Sequence, residues 1–128
     1  MIGTCYYGNQ TISNSYSRSK VSGAGTVGGL VGALQLSTPS SESIHVSYCY
    51  SSSQISGTGL LSPFVGSVTG SQIYFDNSFF DSQINPGYDF VNYSVSPFTC
   101  VELYNKVSQF NQSIWGGDNL LIGKIFIF

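Results

Sequence analysis

The sequence predicts an all-β fold, a β-solenoid of about three coils with a short C-terminal helix that caps it. Three observations predict this fold: an internal repeat, short segments that alternate apolar and polar residues, and glycine turns at matching positions of successive units. A β-sandwich with strands of similar spacing is the alternative. The repeat favours the solenoid, because each coil buries its apolar face only against the next coil.

The internal repeat aligns residues 12–34 with residues 46–68 without a gap, and nine of the 23 pairs are identical. This composition gives about two identities by chance, so the repeat is significant. The frame continues at an offset of 29, which places residues 1–3 on 30–32 and residues 77–84 on 48–55. The repeat region, 1–85, then divides into units of about 1–10 (partial), 11–42, 43–70 and 71–85 (partial). A start within a unit predicts a fragment of a longer repeat array.

Each unit holds three short segments that predict strands. The first alternates with period two around Ile, Val, Tyr and Phe, at 11–16, 43–50 and 72–79. The second ends at Val21 or Ile55, and the third covers 27–34 or 61–68. Stacking at about 4.8 Å would place equivalent residues in ladders and leave Ser and Asn on the outward face. The predicted ladders are Tyr16, Tyr50 and Phe79, and Val21, Ile55 and Ile84.

A Gly-x-Gly turn follows the second segment in both complete units. Its glycines, Gly23 with Gly25 and Gly57 with Gly59, are expected to need positive φ or close backbone approach. The repeat also aligns Gly32 with Gly66 in the third segment. These glycines are structural repeat positions in the predicted fold.

The C-terminal part, 86–128, predicts a cap. Residues 86–97 are rich in Pro, Gly, Tyr, Asp and Ser and predict a loop. Residues 99–102 have the capping-box form Thr-x-x-Glu, and apolar residues at helical spacing predict a short helix over about 100–110. That helix would cover the open end of the solenoid or be presented to a partner, and Trp115 would anchor it or stack on a ligand. Residues 120–128 predict a last strand, or the start of a truncated membrane anchor.

Composition excludes several classes of function. The 128 residues carry 4 Lys plus Arg and 6 Asp plus Glu, a net charge of −2, and only 8% of them are charged. So few basic residues do not form a nucleic-acid footprint or a polybasic membrane patch. No stretch reaches the roughly 20 apolar residues of a membrane span, so a membrane contact would need an anchor outside the chain or truncated at its end.

The cysteines and the glycosylation sequons do not indicate whether the chain is secreted or intracellular. Cys5, Cys49 and Cys100 allow at most one disulfide. Cys49 lies between two tyrosines and is expected to be a small side chain buried in the core. Candidate glycosylation sequons begin at Asn9, Asn92 and Asn111. About two are expected by chance in a chain this rich in Ser and Thr, so the sequons do not establish secretion.

The catalytic and ligand-binding motifs that the sequence could contain have simpler explanations, so the sequence predicts a non-catalytic chain. Residues 23–28 match G-x-G-x-x-G, but no helix pattern follows, and the repeat explains the glycines. Asp76 and Asp81 fall in different columns and, five residues apart, on opposite faces of a strand. His45, the single histidine, is expected to lie at the surface or to have its hydrogen bonds satisfied by neighbours. The acidic residues, the histidine and the cysteines are too scattered for zinc or calcium, so no metal and no cofactor are expected.

The repeat resembles the GLUG repeat family. The first unit carries its Ile-x-Asn-x-Tyr strand at 12–16, its Val-Ser-Gly turn at 21–23 and its Val-Gly-Gly-Leu-Val-Gly segment at 27–32. The second unit departs at Tyr48 and at 62–64, and the third keeps Asn-x-Phe-Phe-Asp at 77–81. The resemblance implies an extracellular or surface repeat protein, such as an adhesin arm or part of a secreted peptidase. The family pattern supplies no catalytic residues.

The expected function is therefore structural or adhesive. The chain would act as a stalk or surface-binding arm of a secreted or cell-surface protein. Its partners would be neighbouring repeats of the same protein and glycans or host surface proteins. The alternative is an accessory module of a secreted enzyme whose catalytic domain lies outside these residues.

Overall fold

The computed structural model describes residues 2–6, 8–36, 41–88, 90, 94–99, 101–102 and 105. Their elements are fourteen short β-strands. Strand β1 (Ile2–Tyr6) precedes the first complete unit, which holds β2 (Gln10–Ser13), β3 (Tyr16–Ser17), β4 (Lys20–Gly23), β5 (Val27–Gly28) and β6 (Val31–Gln35). The second unit holds β7 (Ile44–Ser47), β8 (Tyr50–Ser51), β9 (Gln54–Gly57), β10 (Leu61–Ser62) and β11 (Val65–Thr69). The third holds β12 (Ile73–Asp76) and β13 (Ser78–Asp81), and β14 (Val95–Phe98) follows.

The described strands pair in parallel, and all except β14 pair with their equivalents in neighbouring units. The sheet orders are β1-β6-β11, β2-β7-β12, β3-β8-β13-β14, β4-β9 and β5-β10. Ile12 pairs with Val46 and Val21 with Ile55, as the offset of 34 predicts. Val46 pairs with Phe75 at the offset of 29. The arrangement is all-β and consistent with a β-helix-like fold; the β-sandwich alternative predicts antiparallel pairing.

Each complete unit contains five short strands rather than the three that alternation predicted. The first predicted segment breaks at a corner residue with positive φ: Asn14 (52°), Tyr48 (53°) and, in the third unit, Asn77 (44°). Asparagine is the residue other than glycine that best tolerates this conformation. The third segment breaks at 29–30, between β5 and β6. A count of apolar positions does not detect breaks of one or two residues.

The core lies between the sheets and consists of inward-facing aliphatic and aromatic side chains. Strand β7 shows the alternation, since Ile44 and Val46 are buried and His45 is exposed. The buried cluster is Ile12, Leu30, Val31, Leu34, Leu36, Ile44, Val46, Cys49, Phe64, Val65, Phe80, Phe90 and Val95. Several serines are also buried, contrary to the expectation that they face outward. Ser17 and Ser53 share a buried hydroxyl–hydroxyl hydrogen bond of 2.7 Å, which removes the cost of their burial.

The C-terminal region corrects one prediction and leaves others outside the described residues. The predicted loop 86–97 contains the start of β14, which pairs in parallel with β13. Pro97 is compatible with β14 because this strand is the edge of its sheet. The capping-box hydrogen bonds are present, from Glu102 N–H to Thr99 Oγ1 (3.3 Å) and from Thr99 N–H to Glu102 Oε2 (3.4 Å). A C-terminal helix is not seen among the elements of the described residues; most of 100–110, Trp115 and the predicted last strand lie outside them.

Candidate functional site

The most prominent surface feature is a set of aromatic side chains stacked across neighbouring units. His45 on β7 and Tyr74 on β12 are register partners, and their rings stack at 5.0 Å with an interplanar angle of 29°. Both are exposed, and Tyr74 keeps half of its surface accessible (50%). We call these two residues the outer aromatic pair. Their position follows from the alternation of β7 and β12, which turns the neighbouring residues inward.

A second aromatic stack follows the predicted ladder of Tyr16, Tyr50 and Phe79. Tyr50 pairs with Tyr16 on one side and with Phe79 on the other. The Tyr16 and Tyr50 rings are 5.1 Å apart and within 10° of parallel. Phe80, the next residue, belongs to the core cluster, so this stack lies on the opposite face of its sheet. Tyr16 is partly exposed and Tyr50 is buried.

Burial of Tyr50 predicts a loss of stability at alkaline pH. Burial raises the pKa of the Tyr50 hydroxyl well above its usual value; Tyr16 adds to this rise and Arg18 opposes it. The folded state therefore holds the proton at a pH where the unfolded chain loses it. This contribution is complete below the unfolded pKa of about 10 and is lost as the pH rises above it.

We expect Tyr50→Phe to flatten the fall in unfolding free energy between about pH 9 and pH 12. Urea denaturation at a series of pH values measures this fall. Tyr88→Phe, at a partly exposed tyrosine outside the strands, serves as the control and keeps the wild-type pH dependence. An unchanged pH dependence in Tyr50→Phe would contradict this explanation.

The second predicted ladder, Val21, Ile55 and Ile84, forms only in part. Val21 and Ile55 are register partners, whereas Ile84 lies in a turn after β13. In that turn Asn85 Oδ1 accepts the Ile55 N–H (2.9 Å) and Asn85 Nδ2 donates to the Ser53 carbonyl (2.7 Å). The buried amide thus satisfies the backbone groups that a third strand would satisfy. The repeat pattern does not predict the role of Asn85, because Asn85 has no equivalent in the other units.

Asn85→Ala is expected to lower the unfolding free energy by about 2 kcal/mol, because it leaves two buried backbone groups without a side-chain partner. Asn9→Ala is the matched control. Asn9 Oδ1 also accepts a backbone N–H, that of Ser43 at 2.9 Å, but the contact is exposed. Its loss is expected to stay within about 0.5 kcal/mol. Equal losses in the two variants, measured by urea denaturation, would show that Asn85 does not stabilise this end of β9.

The two Gly-x-Gly turns differ between units. A Cβ at Gly57 would overlap the carbonyl oxygen of Gly23, and one at Gly59 would overlap that of Gly25. Gly57 also has a positive φ of 153°. In the first unit, a Cβ at Gly23 would meet only a methyl group of Val27 at 3.2 Å, and one at Gly25 would meet nothing within 4 Å. The close approach expected from the sequence thus occurs in the second unit, where an equivalent turn lies alongside.

The glycine column in β1, β6 and β11 follows the same rule. A Cβ at Gly66 would meet the Gly32 carbonyl oxygen, and one at Gly32 would overlap that of Gly3. At Gly3 the same atom would meet nothing within 4 Å. Gly32 and Gly66 are therefore each required by the strand of the preceding unit.

A surface cleft of about 280 Å³ lies beside β4 and β9. Its lining consists of Arg18, Ser19, Lys20, Ser52, Gln54 and Ile84. Two of the chain's 4 basic residues line this cleft, together with hydroxyl and amide groups. The surface that these residues present to the cleft is mostly apolar, and the described lining contains no histidine or carboxylate to act as a general acid or base.

The carboxylates considered for catalysis lie in different environments. Asp76 is exposed and accepts a hydrogen bond from Asn77 Nδ2 (2.8 Å). Asp81 is buried; it accepts hydrogen bonds from Ser52 Oγ (3.2 Å) and from the Gln83 N–H (2.8 Å). The structure does not bring the two together as a catalytic pair. Among the described residues, no group of three or more His, Cys, Asp and Glu side chains is placed to hold a metal ion.

Two cysteines and one sequon lie in the described part of the chain. Cys5 and Cys49 are free thiols, and Cys49 is buried, as expected. Burial raises the pKa of both thiols, which lowers their reactivity at neutral pH. The sequon residue Asn9 is exposed. Cys100, Asn92 and Asn111 lie outside the described residues.

Comparisons with known proteins add no relative. No family model, no curated protein and no solved structure matches this chain. Within the described part of the chain, no helix is long and apolar enough to cross a membrane.

Proposed function

We propose that the chain is a β-solenoid segment that serves as a structural and surface-binding arm, without catalysis of its own. One observation carries this proposal: every described strand of the repeat units, β1 to β13, pairs in parallel with its equivalent one unit away, at the offsets that the repeat defines. Such stacking makes a stiff rod with regular columns of side chains on its surface. Neighbouring coils of the same type are its first partners.

The binding role is supported by the outer aromatic pair. Flat rings with polar tips, such as His45 and Tyr74, offer an apolar face and hydrogen-bonding atoms at the surface together. Their stacking at 5.0 Å fixes both rings without burying them. A glycan ring presents the same combination of apolar and hydroxyl surfaces. We therefore propose a glycan, on a host surface protein or free, as the ligand class.

An extracellular or cell-surface location is part of the proposal. It is supported by the GLUG-like pattern of the first unit and by a charge content of only 8%. On the C-terminal side of the described strands, Asn85 satisfies the edge of β9 with a side chain instead of a strand.

The proposal predicts that Tyr74→Ala weakens glycan binding and leaves the fold intact. Binding of the full chain to a panel of immobilised glycans is measured, followed by isothermal titration with the best ligand. Loss of the ring face is expected to weaken binding at least about tenfold. The free energy of unfolding, measured by thermal denaturation, is expected to change by no more than about 0.5 kcal/mol, since half of the Tyr74 side chain is exposed.

Tyr88→Ala is the matched control. Tyr88 is exposed to a similar extent (44%) but lies in the turn region, outside the aromatic pair, and its removal is expected to leave binding unchanged. Equal losses in both variants would contradict the proposed site. No retention of the chain by any glycan would contradict the binding role and leave a structural role only.

A further inference from the structure

The two ends of the strand stack differ in part: β10, β11 and β12 are edge strands at the C-terminal end, but β9 and β13 have further partners there. At the C-terminal end, β14 is added to β13, and Asn85 satisfies β9. The core there is closed by Phe90, whose ring lies 5.8 Å from that of Phe64 and 5.4 Å from that of Phe75. At the other end, β1, β2, β3, β4 and β5 are each the edge strand of their sheets. We call these five strands the lower edge.

The lower edge keeps the features that stacking requires. In the second unit, Gly59 is needed because the Gly25 carbonyl lies against it, and Gly32 is likewise needed because of Gly3. Gly25 and Gly3 occupy the same columns on the lower edge, yet a Cβ there would meet nothing within 4 Å. Neither has a positive φ. Nothing in the described structure therefore requires glycine at these two positions.

We infer that the lower edge binds a further coil of the same repeat, stacked in parallel and in register. This inference rests on the proposed solenoid architecture and extends an interface that the chain already forms between its own units. The incoming coil would place backbone carbonyls against Gly25 and Gly3, as Gly25 lies against Gly59. Only glycine leaves room for that approach. The far end of a second copy does not match the whole lower edge, because the Ile55 N–H on β9 is already bonded to Asn85 Oδ1 and β13 is already paired with β14.

The register of the chain defines how such a coil joins it. Ile2 pairs with Val31, so the residue before Ile2 corresponds to Leu30. In what we call the extended protein, a second copy of residues 10–30 replaces Met1. The last residue of this copy, a leucine equivalent to Leu30, then connects to Ile2 as Leu30 connects to Val31. The copied strands would lie one unit below β2–β5 at an offset of 29, the spacing already present between β7 and β12.

The test combines this extended protein with glycine substitutions in the full chain. Gly25→Ala is expected to leave the folding equilibrium constant of the original chain unchanged or to raise it by up to about fivefold. In the extended protein, Gly25→Ala is expected to reduce that constant at least about tenfold, because the new methyl group would meet the added coil. Urea denaturation gives both constants, and the extended protein is also expected to have a higher m value, since more surface is buried.

Gly59→Ala separates failure of the inference from failure of the architecture. It is expected to be destabilising in both proteins, because the turn of the first unit already lies against it. If it is neutral in both, the proposed stacking itself is wrong. If Gly59→Ala is destabilising in both proteins but Gly25→Ala has the same effect in the original chain and in the extended protein, the lower edge does not bind a coil. A dimer of the original chain in sedimentation that the added coil does not abolish would also overturn the inference.

Discussion

Phe64→Ala is expected to lower the free energy of unfolding by about 3–5 kcal/mol. The Phe64 side chain is fully buried, and its ring contacts those of Phe75 and Phe90 at centroid distances of 6.2 and 5.8 Å. Removing the ring leaves a cavity between the second unit and the C-terminal residues, and the adjacent strands cannot close it without losing register. Urea denaturation followed by circular dichroism measures the loss.

Leu60→Ala is the control for this variant. Leu60 lies four residues earlier, is also large and apolar, and has 65% of its surface exposed. Its truncation is expected to change the unfolding free energy by less than about 0.5 kcal/mol. If Phe64→Ala costs no more than Leu60→Ala, the aromatic cluster does not stabilise this end of the core.

Gly59→Ala is expected to cost about 3 kcal/mol in the protein as it stands. A methyl group at Gly59 would overlap the Gly25 carbonyl oxygen, and both of the atoms nearest to it belong to the Gly25 backbone. Backbone atoms in a stacked turn cannot move aside as a flexible side chain can. The second unit would have to separate from the first at this turn to accommodate the change.

Gly25→Ala is the matched control for Gly59→Ala, one unit earlier in the same column. The added methyl group meets nothing within 4 Å, so the change is expected to be neutral or to stabilise by up to about 1 kcal/mol. Thermal and urea unfolding of the two variants gives the comparison. Similar losses would show that both glycines serve their own turns and that the units do not approach each other here.

The repeating part of the fold follows from the sequence, and the non-repeating part does not. The offsets of 34 and 29 predicted the partners of Ile12, Val21 and Val46, because stacked units align equivalent residues. The Asn of the repeat also marks the corner that Asn14 and Asn77 form with positive φ. The repeat did not reveal β14 or the role of Asn85, since neither has an equivalent in another unit.

The candidate site could be predicted only in outline. The sequence left His45 as either a surface residue or one with satisfied hydrogen bonds, and its contact with Tyr74 required the register of the third unit. Buried serines such as Ser17 and Ser53 were expected outside, because hydropathy does not register that two hydroxyl groups can satisfy each other. The cleft beside Arg18 and Lys20 depends on how two units and a turn meet, which local sequence does not encode.

The central claim is that equivalent strands of successive units are stacked in parallel and in register. Nuclear Overhauser contacts between backbone protons test it most directly. The structure predicts cross-strand contacts from Ile12 to Val46 and from Val46 to Phe75, with none between β6 and the strand that follows it, β7. Antiparallel contacts between strands adjacent in the chain, such as β6 with β7, would contradict the stack and every proposal that depends on it.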